Sequence, residues 1–165
     1  MKIKLLGLTE GEHLYDEEIL PADLELKQQE FAHPIHVSAR IDKRGGNYYI
    51  KISTSVVGIF QCDRCLDEFE QELTGEVALV YSENEELFAE GEDEDLRLVS
   101  KSGSEIDLAG DVRDAVFLTI PIKHVCSEDC RGLCPECGAN KNHVSCSCSV
   151  ESADSRWDAL RKLGF

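Results

Sequence analysis

Eight cysteines are the residues of this chain best suited to chemistry: Cys62, Cys65, Cys126, Cys130, Cys134, Cys137, Cys146 and Cys148. Cys134-Pro-Glu-Cys137-Gly138 has the form of a zinc knuckle. Two intervening residues let both thiolates reach one ion about 2.3 Å away, and the following glycine permits the tight turn that aims backbone N–H groups at the sulfurs. Cys146-Ser-Cys148 follows after eight residues, so CxxC–x8–CxC supplies four soft ligands for one tetrahedral ion. The other four thiols, in Cys62-Asp-Arg-Cys65 and Cys126-Ser-Glu-Asp-Cys130, also keep ligand spacing. They offer a possible second site that would tie a sheet turn to the C-terminal segment without oxidation. Spacing leaves an interleaved pairing open, and with it a count of one Zn²⁺ or two. Iron–sulfur clusters also take four thiolates. His124, Asp129 and His143 lie nearby as substitutes, but thiolates are the better donors for a soft ion.

Compartment decides between metal and disulfide. The start, MKIKLLGLTEGEH, has too few apolar residues for a signal-peptide core. No stretch approaches the ~18 apolar residues of a membrane helix. A cytoplasmic location is expected, where thiols stay reduced. The alternative is a thiol–disulfide redox protein or redox sensor using Cys62 and Cys65, with Arg64 stabilising a thiolate. No βαβ pattern surrounds that pair, as a thioredoxin-like fold requires. The chain also lacks GxGxxG, GxxxxGK[ST], HExxH and GxSxG. The reading is of a protein that is not an enzyme and has no small-molecule substrate.

Charge narrows the partners. The 165 residues carry 33 acidic and 17 basic side chains, a net charge of −16. Two Zn²⁺ on eight thiolates would take this to about −20. Such a surface repels bulk nucleic acid, whose binding needs a basic patch. A basic protein partner suits the field better. Residues 83–95 hold eight acids and no base, which reads first as a solvated loop. Within it, Glu92, Asp93, Glu94 and Asp95 are candidates for attracting a basic partner. Lys123, Arg131 and Lys141 flank the knuckle. They offset thiolate charge on the favoured reading; on the other, Arg131 and Lys141 touch RNA phosphate.

The elements that must position these groups read as an α+β fold. It is mainly antiparallel β-sheet, with one or two short helices and a C-terminal Cys-rich zinc-binding segment. Lys2–Leu8 alternates loosely as an edge strand, and Leu20–Glu30 has helix-forming composition limited by Pro21. Ile35, Val37, Ala39 and Ile41 alternate along a strand; Asp42–Asn47 with its two glycines is a turn; Tyr48–Phe60 is a β-branched, aromatic strand. Phe69–Tyr81 resumes the sheet, so Cys62 and Cys65 sit at a turn between strands. Residues 96–121 predict a short strand and then a helix on Leu108, Val112, Ala115, Val116 and Thr119, with Asp107 as N-cap and Pro121 as terminator. Ser155–Asp158 resembles a cap for a closing helix that packs Trp157, Leu160 and Leu163. The division is a β-rich part, 1–121, with an acidic loop at 83–95. A Cys-rich part, 122–165, packs on it.

These residues resemble the DUF177 or YceD family. The resemblance is carried by Cys62-Asp-Arg-Cys-Leu66, by Glu105-Ile-Asp-Leu108, by Ile120-Pro121, and most specifically by Cys126-x3-Cys-Arg-Gly-Leu-Cys-Pro-x-Cys-Gly-x-Asn140. Asp154-Ser-Arg156 and Leu160–Leu163 fit its C-terminus, so the likeness runs from about residue 30 onward. It implies a β-rich, non-enzymatic factor needed for accumulation of large-subunit ribosomal RNA. Combined with the acidic charge, this resemblance leads to the expectation of a large-subunit ribosomal protein or an assembly intermediate as partner, with indirect or local contact to ribosomal RNA as an option.

Overall fold

The computed structural model describes residues 1–84, 96–99 and 105–148. In chain order the elements are β1 (Lys2–Lys4), β2 (Gly11–Ile19), a 3-10 turn (Pro21–Leu24), β3 (Ile35–Arg44), β4 (Asn47–Gln61), β5 (Glu68–Ser82), β6 (Leu96–Leu98), β7 (Glu105–Asp107) and α1 (Ala109–Thr119). The main sheet has the order β2-β3-β4-β5-β6, and β1 pairs with β7 separately. All pairings are antiparallel except the short β5–β6 contact.

Period-two patterning builds this sheet. Ile35, Val37, Ala39 and Ile41 of β3, with Tyr48, Ile50, Ile52 and Val56 of β4, all turn inward and are buried. Fully burying one such aliphatic side chain contributes about 1.5–3 kcal/mol. Gly45 and Gly46 both have positive φ, 55° and 83°. That is the backbone a two-residue hairpin turn demands, and it fixes the β3–β4 register. From there β4 and β5 pair without interruption from Asn47↔Ser82 to Gln61↔Glu68. The far end of this ribbon is therefore the Cys62–Asp67 loop.

Helix α1 covers the inner face with Val112, Ala115 and Val116. Its end lies hard against β5 at Gly75. A Cβ there would stand 2.7 Å from the Ala115 carbonyl oxygen and 2.6 Å from Thr119 Cγ2, so only glycine admits the helix. The helix stops where the sequence indicates: Ile120, which precedes Pro121, is extended. Asp107 Oδ1 accepts the Ala109 N–H at 3.0 Å, and Leu108 is the capping position by backbone conformation.

Two expectations need correction, and one strand was not expected. The helix expected over Leu20–Glu30 is a single 3-10 turn, Pro21–Leu24, closed by Glu25 in the left-handed region. The strand expected over Lys2–Leu8 is limited to Lys2–Lys4, because Gly7 takes positive φ and the Leu8 N–H turns back to the Leu5 carbonyl. Gly11–Ile19 is a nine-residue strand in a stretch for which the sequence predicts no element. The acids 85–95, the closing-helix residues Trp157, Leu160 and Leu163, and the Asp154–Arg156 signature lie outside the described residues. No helix of the described residues is long and apolar enough to cross a membrane.

Candidate metal centres

Two loops far apart in the chain adopt one backbone pattern. In the first, the Cys62 N–H bonds the Asp67 carbonyl at 2.8 Å and the Leu66 N–H bonds the Cys62 carbonyl at 2.9 Å. In the second, the Cys134 N–H bonds the Ala139 carbonyl at 2.8 Å and the Gly138 N–H bonds the Cys134 carbonyl at 2.9 Å. Both are CxxC knuckles. The residue after the second cysteine has positive φ in each: 63° at Leu66 and 72° at Gly138.

The structure brings the eight thiols into two sets, Cys62/Cys65/Cys126/Cys130 and Cys134/Cys137/Cys146/Cys148. Within each, the ligand atoms all lie within 4.8 Å of one another. All eight are free thiols. Cys62 Sγ and Cys130 Sγ are 3.8 Å apart, and Cys65 Sγ and Cys126 Sγ 3.6 Å. Four sulfurs placed tetrahedrally around an ion with bonds of about 2.3 Å would stand about 3.8 Å apart, whereas a disulfide needs about 2.05 Å. The first set therefore has the dimensions of a ligand cage. Each set offers four soft donors, which suits zinc or another thiophilic ion.

Hydrogen bonds hold the first set in shape. The Cys126 N–H reaches Cys62 Sγ at 3.4 Å, and Asn142 Nδ2 donates to Cys130 Sγ at 3.4 Å. Asp63 is clamped to His124 twice: its N–H donates to the His124 carbonyl, and its carboxylate accepts the His124 N–H, both at 2.8 Å. Arg64, expected to face a thiolate on the redox reading, instead donates to the carbonyls of Glu128 and Cys130 at 3.2 and 3.3 Å. Asp67 then links the two knuckles. Its carboxylate accepts from Asn140 Nδ2 and meets His143 Nε2, each at 2.8 Å. His124 stacks on Phe60, with ring centroids 4.3 Å apart. Neither histidine joins a cysteine set, nor does Asp129.

These bonds split the thiol acidities. Burial alone would raise Cys62, but N–H groups of Cys126, Arg64 and Cys65 bring it down to about 6. The N–H groups of Cys137 and Glu136 bring Cys134 to about 6. Their companions move the other way. The Asp67 N–H favours the Cys65 thiolate, yet burial and the neighbouring sulfurs push that thiol up to about 12. Cys148 rises to about 12 beside Cys137, with burial adding to it. In the first cage Cys62 and Cys130 are thus drawn toward the thiolate while Cys65 and Cys126 are held toward the thiol; in the second Cys134 is lowered and Cys146 and Cys148 are raised.

Arg131 and Lys141 line one cleft of ≈ 340 Å³, together with His143 and Cys146. Glu92, Asp93, Glu94 and Asp95 lie outside the described residues. Reading the sequence missed Asp67, Asn140 and Asn142 as organisers of the cages. Of the three, Asn140 alone stands in the family signature, as its last residue.

Comparison with known proteins places this geometry in a family. Residues 50–164, which include both cysteine sets, match the family described as large ribosomal RNA subunit accumulation protein YceD. The chain belongs to the YceD family. Among curated relatives, large ribosomal RNA subunit accumulation protein YCED homolog 1, chloroplastic, of Arabidopsis thaliana is 41% identical over 59 residues, covering 36% of this chain and 18% of the relative. The protein of the same name from Zea mays is 29% identical over 142 residues, or 70% of this chain and 48% of the relative. An uncharacterized protein of Mycobacterium tuberculosis (strain ATCC 25618 / H37Rv) is 34% identical over 116 residues, 62% of this chain and 49% of the relative. The chain spans about half or less of the length of these relatives. No solved structure matches the chain.

Proposed function

We propose that this chain is a non-enzymatic, zinc-binding factor that supports accumulation of large-subunit ribosomal RNA by holding a basic ribosomal or assembly protein during subunit maturation. The family match over residues 50–164 carries the ribosomal part of this reading. The sulfur cages support the zinc part, with Cys62, Cys65, Cys126 and Cys130 as one ligand set and Cys134, Cys137, Cys146 and Cys148 as the other. In each, the ion would act as a structural staple; four protein ligands leave no open position for a catalytic water. A net charge of −16 favours a cationic protein over RNA as the direct partner. The cytoplasm, where thiols remain reduced, is the fitting compartment. Redox cycling at Cys62 and Cys65 is disfavoured by their burial, 0% and 2% exposed, which shields both from an attacking thiolate.

The test is co-sedimentation of tagged protein with large-subunit precursors at low salt, beside measurement of zinc and accessible thiols per chain. The expected result is two zinc ions, eight masked thiols, and co-purification of at least one basic large-subunit protein that is lost at high salt. Absence of any such protein overturns the holding role. A single ion with Cys62 and Cys65 free revives the redox reading.

A further inference from the structure

The main sheet has a second face, and no described helix covers it. Helix α1 packs on the inner side, where Gly75 meets it. Register places Glu12, Leu14, Asp16 and Glu18 of β2 outward, beside Asp42, Arg40, Ser38 and His36 of β3. Lys51, Ser53, Ser55 and Val57 of β4 continue the face, opposite Ala78, Glu76, Thr74 and Glu72 of β5. Small side chains in the middle leave a trough. Adjoining hollows of ≈ 390, ≈ 300 and ≈ 350 Å³ share Ser38, Arg40, Lys51 and Ser53 among their walls. The last hollow is the apolar end, walled by Tyr49, Ala78 and Val80.

Charge identifies the occupant. The cations of this face are already matched: Arg40 to Glu12 at 2.6 Å, Lys51 to Glu76 at 2.9 Å, and Arg44 to Asp42. Among the described residues Glu18 and Glu70 have no ion-pair partner, and Glu72 has only a 3.5 Å bond from Ser55. Asp16 faces His36 at 3.9 Å, so the polar trough is left with uncompensated carboxylates at one end: Glu18 of β2 on one side and Glu70 and Glu72 of β5 on the other. An RNA strand or a second copy of this acidic chain would add like charge. We propose that this face is the docking surface for a cationic segment of a protein partner, with basic side chains toward Glu18, Glu70 and Glu72 and one apolar side chain seated against Tyr49 and Val80. This rests on the holding role proposed above and names its surface.

The experiment uses full-length, zinc-loaded protein and a fluorescein-labelled dodecapeptide of alternating lysine and serine with a terminal leucine pair. Its binding is read by anisotropy. The face variant combines Asp16→Asn, Glu18→Gln, Glu70→Gln and Glu72→Gln. The control combines Asp23→Asn, Glu105→Gln, Asp114→Asn and Glu128→Gln, exposed acids away from this face, which removes the same charge elsewhere. Circular dichroism and zinc content verify that each folds. The expected result is at least tenfold weaker binding for the face variant and less than threefold for the control. Equal weakening by both sets overturns the proposal, since attraction would then come from the overall field. So would tighter binding of a twelve-nucleotide RNA, no binding of the peptide at all, or a dimer in light scattering that the face variant abolishes. If the face variant still co-sediments with large-subunit precursors, the surface is wrong and the holding role stands; if the native chain does not, the holding role itself fails.

Discussion

The two cysteine sets share a knuckle backbone and differ in what they join. Cys62 and Cys65 lie at the tip of the β4–β5 ribbon and meet Cys126 and Cys130 across 61 and 68 residues of chain. Cys134, Cys137, Cys146 and Cys148 close on themselves within one short segment. Cys62, Cys65 and Cys130 are buried and form a small core with Phe69 and Val125, while Cys137 and Cys146 are exposed. The same chemistry thus serves two purposes. With an ion bound, the first cage would be a long-range cross-link, whose effect grows with the loop it closes; the second would organise a local loop.

Removing one ligand from each cage tests that division most severely. Cys130→Ser should release one ion per chain and lower Tm by roughly 10 °C, as expected for opening a loop of this length. Cys146→Ser should also release one ion, yet shift Tm by only about 2–4 °C. Differential scanning calorimetry beside metal analysis reads both. Equal shifts would mean that the cages are energetically one unit, coupled through Asp67.

Chelation kinetics sharpen the same contrast. With a chromophoric zinc chelator in excess, two phases of equal amplitude are expected. The fast one should come from the exposed cage, identified by its absence in Cys146→Ser. A single phase would contradict the difference in burial.

The knuckles themselves provide a smaller effect. Leu66 holds φ 63° where its counterpart Gly138 holds 72°, and the left-handed region costs a non-glycine residue about 1–2 kcal/mol. Leu66 is 53% exposed, so its packing loss is small. Leu66→Gly should therefore stabilise by about 0.5–1 kcal/mol after the unfolded-state entropy of glycine is subtracted. Gly138→Leu should destabilise by about 1–2 kcal/mol. Urea unfolding measures both, and a loss of stability in Leu66→Gly would show that the leucine side chain matters more than the strain.

Proton release gives the smallest signal. Cys62 and Cys134 sit near 6, well below the ordinary thiol, so in the metal-free chain their contribution to stability is present above the unfolded thiol pKa near 9 and fades as pH falls through 6. Cys65 and Cys148, near 12, contribute in the opposite sense: fully below 9, and lost as pH rises through 12. Zinc loading at pH 7 must therefore expel protons from both cages, and calorimetry in buffers of different ionisation enthalpy should detect this at each site.

Much of this was legible in the residues. The alternation of Ile35–Ile41, the glycine pair at 45–46 and the Pro121 stop gave strands, turn and helix end, because each is a local rule. Strand β2 was not legible. Its position at the sheet edge leaves Glu12, Asp16, Glu17 and Glu18 in solvent, and only Ile19 of its nine residues is buried, so no apolar period marks it. The helix expected at 20–30 failed because Glu25 enters the left-handed region after one turn. The CxxC–x8–CxC spacing pointed to the local cage directly. The long-range one needed the fold, since spacing alone cannot say which distant pair a ribbon tip will meet.

Helix α1 is held at both ends. Its N-terminal side is tied by β7 pairing with β1, and its C-terminal side runs within a few residues into Cys126 and Cys130. With an ion in the first cage, the helix can leave the sheet only as a closed loop pinned at both ends. Its amides should then exchange with solvent through cooperative release of the whole β-rich unit rather than by fraying, so that metal supply sets how often the inner core is open to water and proteases.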